Sequence, residues 1–135
     1  IVHDLGKIAI PDKILNKPSR LDEEEYNFIK THSVVGKNII EPSMKDKPLI
    51  INFVYHHHER FDGKGYPDGL KGEAIPIEAR IGCVVDAYDS MTTDRIYRPR
   101  MTVDAAIEEL KNNMGSQFDP ELVRVFIEWI QENKK

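Results

Sequence analysis

The chain has 135 residues, enough for one domain, with 40% hydrophobic residues for a core and 31% charged residues, which argues against a membrane protein. A formal net charge of −4 gives no general basic surface, so affinity for long nucleic acid is excluded, while a compact phosphorylated ligand held by local Arg, Lys and metal is not. The single Cys83 cannot form an internal disulfide, which suits a reducing cytosol.

The sequence opens Ile1-Val2-His3-Asp4 without an initiator Met and reads as a fragment. Residues 1–7 predict the last turn of a helix, ending near Gly6 in a left-handed conformation. His3 and Asp4 are adjacent, and Lys7 lies three residues on, on the same side. An isolated His-Asp pair is more readily a solvent-facing helix end than a site. Residues 8–20 form a connector with one helical turn over 12–15, bounded by Pro11 and Pro18.

Asp22 is an N-cap with Glu25 at the third helical position, a capping box, and Leu21 and Tyr26 are spaced as a hydrophobic staple. The expected buried stripe of this helix is Phe28, Ile29, His32, Val35, Gly36, Ile39 and Ile40. His32 is a polar intrusion in it. Pro42 ends the helix.

The next helix starts at Pro48, a favoured first-turn residue. Its apolar residues Ile50, Phe53 and Val54 sit at i, i+3 and i+4, and i+7 and i+8 are His57 and His58. His56 falls on the opposite side, facing outward. A buried polar group without a partner costs ~1–3 kcal/mol, so two adjacent inward imidazoles suggest a metal, although one alone is usually a hydrogen-bonded core residue. Residues 61–75 form a long loop with Gly63, Gly65, Gly69 and Gly72. Loops this long in a compact domain are usually functional.

Residues 76–91 are apolar or small nearly all round, which predicts a central, buried helix. It carries Asp86 and Asp89. A buried carboxylate at 86 must be paired, protonated or bound to metal. Asp89 could pair with an arginine. Arg95, Arg98 and Arg100 then follow in a short loop, either a solvated basic turn or a phosphate clamp, since guanidinium matches phosphate bidentately. A further helix is capped by Thr102, buries Ala106, Ile107, Leu110 and Met114, and stops at Gly115. The last starts at Asp119-Pro120 and buries Leu122, Val123, Phe126, Ile127 and Ile130, with Trp129 on its flank. No strand pattern is visible, so the fold expected is all-α.

His3, Asp4, His32, His57, His58 and Asp86 together offer six nitrogen and oxygen donors. Mixed imidazole and carboxylate ligation suits manganese, iron or zinc, and the absence of thiolate argues against a structural zinc site. Asp4 could bridge two ions. A two-metal centre is a standard device for phosphate-ester hydrolysis, activating water and stabilising the in-line transition state.

The order His3-Asp4, Lys7, His32, His57-His58, Asp86 resembles the HD superfamily of metal-dependent phosphohydrolases. The run HHERFDGKGYPDGLKGEAIPIEARI, with DAYDSMTTDRIYR and GSQFDPELV later, resembles its HD-GYP subfamily from end to end. The resemblance implies a helical bundle of about five to six helices acting as a cyclic di-GMP phosphodiesterase in bacterial signalling, with linear pGpG or GMP as product. It implies two or three divalent ions, commonly iron or manganese, held by His3, Asp4, His32, His57, His58 and Asp86. Lys7 and Asp4 would be catalytic, with Lys7 stabilising charge at the phosphate. Asp89, Arg95 and Arg98 would contact substrate, and Gly65, Tyr66 and Pro67 would border the site.

The family carries helices and further ligands ahead of the His-Asp pair, so residues 1–135 are expected to be an N-terminally incomplete HD-GYP domain. Such a piece is expected to bind metal incompletely and to be weakly active or inactive. Its uncovered apolar face offers a homodimer surface, and an upstream sensor or receiver domain is expected in the parent protein. The alternatives are a non-catalytic cyclic di-GMP-binding or interaction module, and an HD phosphohydrolase acting on another nucleotide.

Overall fold

A computed structural model of the chain describes residues 2–95 and 98–133. A 3-10 turn, Leu5–Ala9, is followed by six α-helices: α1 Asp12–Leu15, α2 Glu23–Ile40, α3 Pro48–His56, α4 Ile77–Thr92, α5 Val103–Asn112 and α6 Pro120–Glu132, with a second 3-10 turn at Gly72–Ala74 between α3 and α4. Among the described residues the only β-type pairings are isolated bridges, so the fold is all-α as expected.

The helix starts follow from their caps. Asp22 Oδ1 accepts from Glu25 N at 2.8 Å, and Glu25 Oε2 accepts from Asp22 N at 3.0 Å, which completes the capping box of α2. Thr102 accepts from Ala105 N at the start of α5, and Asp119 from Glu121 N at the start of α6. Asp119 has a second task. Its Oδ2 accepts from Arg80 Nη1 at 2.6 Å and ties the N-terminus of α6 to α4.

The apolar core lies in the C-terminal half. Val84 and Met91 of α4 pack with Ala106, Ile107 and Leu110 of α5, Phe118, and Val123, Ile127 and Ile130 of α6. The opposite side of the molecule is the layer of α2, α3 and the N-terminal 3-10 turn, with α4 joining the two halves. Histidines gather in that second layer.

Three expectations change. Gly6 is not a left-handed helix stop, because its φ is not positive. It is small because the turn lies directly on the backbone of α2: a Cβ there would overlap His32 O and stand 2.7 Å from Gly36 N. The buried line of α2 is His32, Ser33, Gly36 and Ile40, while Phe28 and Ile39 are nearly half exposed. Finally, α4 is not buried all round. Ala79, Val84 and Met91 are buried, but Ile77, Ile81 and Val85 are nearly half exposed, since α3, α5 and α6 cover only one side. No helix among the described residues is long and apolar enough to cross a membrane.

Candidate metal centre

Four side chains from three elements converge. Asp4 precedes the N-terminal turn, His32 lies in α2, and His57 and His58 follow the end of α3; one ligand atom from each falls within 4.8 Å of the others. The helix is shorter than the wheel supposed. α3 stops at His56, His57 is its C-cap and His58 lies in the turn beyond, yet both rings reach the cluster.

The tautomers of His32 and His57 follow from their neighbours. His32 Nδ1 is 2.6 Å from Ile29 O, and His57 Nδ1 is 2.8 Å from Val54 O. A carbonyl only accepts, so both Nδ1 atoms carry the proton and donate. Each Nε2 then presents a lone pair, and the two Nε2 atoms face each other at 3.2 Å. Burial pushes the His57 pKa down to about 4 and, with His57 beside it, that of His58 down to about 3; burial also lowers His32. Burial thus favours the neutral rings, and the facing lone pairs offer a cation two donors. Two imidazoles ~2.1 Å from one ion at tetrahedral or octahedral angles stand ~3.0–3.4 Å apart. The donor set fits a divalent transition ion.

Asp4 joins this group to a second. Its Oδ1 is 3.9 Å from His32 Nε2, 4.0 Å from His57 Nε2 and 3.0 Å from Lys7 Nζ, while Oδ2 is 3.4 Å from His3 Nε2. The His3 imidazole beside it, and then the Lys7 ammonium, hold its carboxyl well below the usual carboxylate range. His3 Nε2 is also 3.5 Å from Asp86 Oδ1. Asp86 thus meets the centre through His3, outside the four-residue cluster. It was expected to be buried, but its side chain is 57% exposed, because it stands on the uncovered side of α4. An open groove of about 820 Å³ runs from His3 and Asp86 past Phe53, Ile81 and Val85 to Asp89.

The arginines expected as a clamp or a basic turn lie against the end of α4. Arg95 and Arg98 pair backbone to backbone, and both guanidiniums reach Ser90: Arg95 Nη2 donates to Ser90 Oγ at 2.9 Å, and Arg98 Nη2 to Ser90 O at 2.8 Å. Ser90 is one turn beyond Asp86 on α4. Arg100 is exposed, and its backbone N–H donates to Asp94.

The Gly65-Tyr66-Pro67 segment stands behind His58 rather than across the groove. A Cβ on Gly65 would overlap Arg60 N and His58 O, so only glycine lets the loop lie on this turn. Tyr66 N donates to His58 O at 3.3 Å, and its ring stacks on the His58 ring at 4.8 Å between centroids.

Sequence reasoning missed Glu59. Its side chain is fully buried, and its two oxygens accept from Asp68 N and Leu70 N at 2.8 and 3.0 Å, binding the loop to the histidine turn. The signal was a lone acid between two histidines and a glycine loop. His56 was expected to face outward. It does turn away from the cluster, but the loop covers it, leaving 11% of its side chain exposed beside Glu59 and Asp68.

The HD domain family model matches residues 1–122. The chain is 46% identical over 123 residues to the cyclic di-GMP phosphodiesterase response regulator RpfG of Xanthomonas campestris pv. campestris (strain 8004), covering 90% of this chain and 32% of that protein. It is 39% identical over 127 residues to a cyclic di-GMP phosphodiesterase of Pseudomonas aeruginosa, covering 94% and 30%. Among solved structures, a cyclic GMP-AMP specific phosphodiesterase of V. cholerae shares the fold, with a TM-score of 0.69 and 18% identity over 96% of this chain and 36% of that one. The chain belongs to the HD domain family, in its HD-GYP branch. It spans about a third of the length of the curated relatives it matches.

Proposed function

We propose that this chain is the catalytic domain of a metal-dependent phosphodiesterase that hydrolyses cyclic di-GMP to linear pGpG or GMP. The observation that carries the reading is the pair of Nε2 lone pairs of His32 and His57 facing each other at 3.2 Å in a buried, neutral histidine cluster. Asp4, His32, His57 and His58 would hold one ion. His3 and Asp86 would hold another, with Asp4 shared between the two. Bound iron or manganese supplies Lewis acidity toward a phosphate ester.

The chain's own groups do the rest. Lys7, beside Asp4, places a positive charge where the phosphate gains negative charge. Arg95 and Arg98, anchored on Ser90, would offer guanidinium groups to a second phosphate, and Asp89, in the groove with His3 and Asp86, would contact the ligand there. Tyr66 keeps the His58 ring in place, with Gly65 and Pro67 shaping the loop around it. On this reading the domain works in second-messenger signalling in the cytoplasm, under a sensor or receiver domain of the parent protein. A homodimer would cover the exposed Ile81 and Val85 face.

The test is turnover of cyclic di-GMP with manganese or reduced iron by the parent protein, against its His3→Ala/Asp4→Ala variant. Loss in the variant supports the reading, and equal turnover ends it. A parallel arm with 3′3′-cyclic GMP-AMP decides between the two cyclic dinucleotides. Calorimetric binding of cyclic di-GMP with no metal requirement and no turnover would favour a receptor instead.

A further inference from the structure

We propose that His56, Glu59 and Asp68 form a second divalent-cation site, on the far side of α3 from the Asp4–His32–His57–His58 cluster. His56 Nδ1 lies 3.7 Å from Glu59 Oε1 and 4.0 Å from Asp68 Oδ2. These separations are too long for hydrogen bonds and short enough for a shared ion. One donor atom from each residue falls within 4.8 Å of the others.

His56 itself points to a ligand. Its Nδ1 is buried and has no hydrogen-bond partner among the described residues, although buried polar atoms are nearly always satisfied. It is aimed between two carboxylates that each keep capacity on that side. Glu59 Oε1 accepts one bond, from Asp68 N, and has a lone pair to spare. Asp68 spends Oδ1 on the Tyr55 hydroxyl at 3.1 Å and turns Oδ2 toward His56. The two carboxylates balance a 2+ charge, and the half-exposed Asp68 gives the ion a route in from solvent.

Imidazole with two carboxylates suits zinc, manganese or ferrous iron, whereas calcium and magnesium favour all-oxygen shells. The ion would not touch substrate. It would join the end of α3 to residue 68 of the loop whose Tyr66 stacks on His58, and so hold the support of the neighbouring centre.

The experiment counts ions. The chain is dialysed to equilibrium against manganese, and separately zinc, and metal per chain is measured for the wild type, His56→Gln, Asp68→Asn and the surface control Asp12→Asn. The expected result is one ion fewer per chain in His56→Gln and Asp68→Asn, with the control equal to wild type. Asp68 is on an exposed loop, so Asp68→Asn decides the matter if His56→Gln does not fold. Equal counts in all four proteins overturn the proposal, including the case where none binds metal and a proton on His56 serves the two carboxylates.

Discussion

His32 and His57 face each other Nε2 to Nε2 at 3.2 Å, each held in that orientation by a backbone carbonyl behind its Nδ1. The helices that carry them are joined so that two like poles meet. A cation held between them would relieve the repulsion and favour the folded chain. Manganese at about 100 times its dissociation constant should therefore stabilise the chain by ~2.7 kcal/mol, which raises the melting midpoint by several degrees. His57→Gln should remove most of that shift. Calorimetric scans with and without metal check it, and an unchanged midpoint in the wild type would count against the centre.

The metal-free chain should lose stability in mild acid. His57 and His58 have folded-state pKa values lowered by burial to about 4 and about 3, below the ~6.5 of an unfolded histidine. Between those values the unfolded chain takes up protons that the folded chain refuses, so stability rises with pH and falls as pH drops from ~6.5 toward 4. The slope is at most ~1.4 kcal/mol per pH unit for each histidine. Asp4, whose pKa is also lowered in the fold, adds to the loss only below its unfolded value of 3.8. Urea midpoints at pH 7, 6, 5 and 4 should fall in order, and a flat profile would contradict the neutral cluster.

Gly6→Ala should be among the most damaging single-methyl changes in the chain. The new Cβ meets backbone on α2, at His32 O and Gly36 N, and backbone cannot rotate aside as a side chain can. Overpacking of this kind costs ~1–3 kcal/mol or more. Since the obstructed atom belongs to His32, metal affinity should fall with stability. Urea unfolding together with manganese titration measures both.

Glu59→Gln should loosen the loop and spare the core. The carboxylate accepts two backbone N–H groups, and an amide in its place presents a donor to one of them. A lost buried hydrogen bond of this type costs ~1–3 kcal/mol. Amide exchange at Asp68 and Leu70 should quicken ~10- to 100-fold, while Leu110 and Val123, in the apolar core, keep their protection. Uniform acceleration across the chain would show that Glu59 supports the whole fold instead.

Much of this architecture was legible in the sequence because local chemistry sets it. The Asp22–Glu25 box, Pro48, Thr102 and Asp119-Pro120 each mark a helix start at the residue where one is found. Residues that meet across the fold were harder. The wheel placed His57 and His58 on an idealised helix, whereas a C-cap and a turn bring them in. The exposure of Ile81, Val85 and Asp86 depends on which helices cover α4, and no pattern within α4 carries that information. Gly6 looked like a stop signal because a glycine needed for close approach and one needed for a turn read alike in one dimension. Glu59 hid in plain view between two louder motifs.

Phe53 lies beside both His3 and His57. Its ring presses on α4 where Gly82 leaves room, so that a Cβ there would collide with it, and its other side meets the His3 imidazole at 5.3 Å between centroids. The ring works as a shim. It lies against both the His3 ring and the Gly82 position of α4, the helix that carries Asp86, while His32 and His57 are each oriented by a backbone carbonyl. Changes at positions 53 and 82, two apolar sites, would therefore move His3 relative to Asp86 without altering any of the clustered histidines or carboxylates.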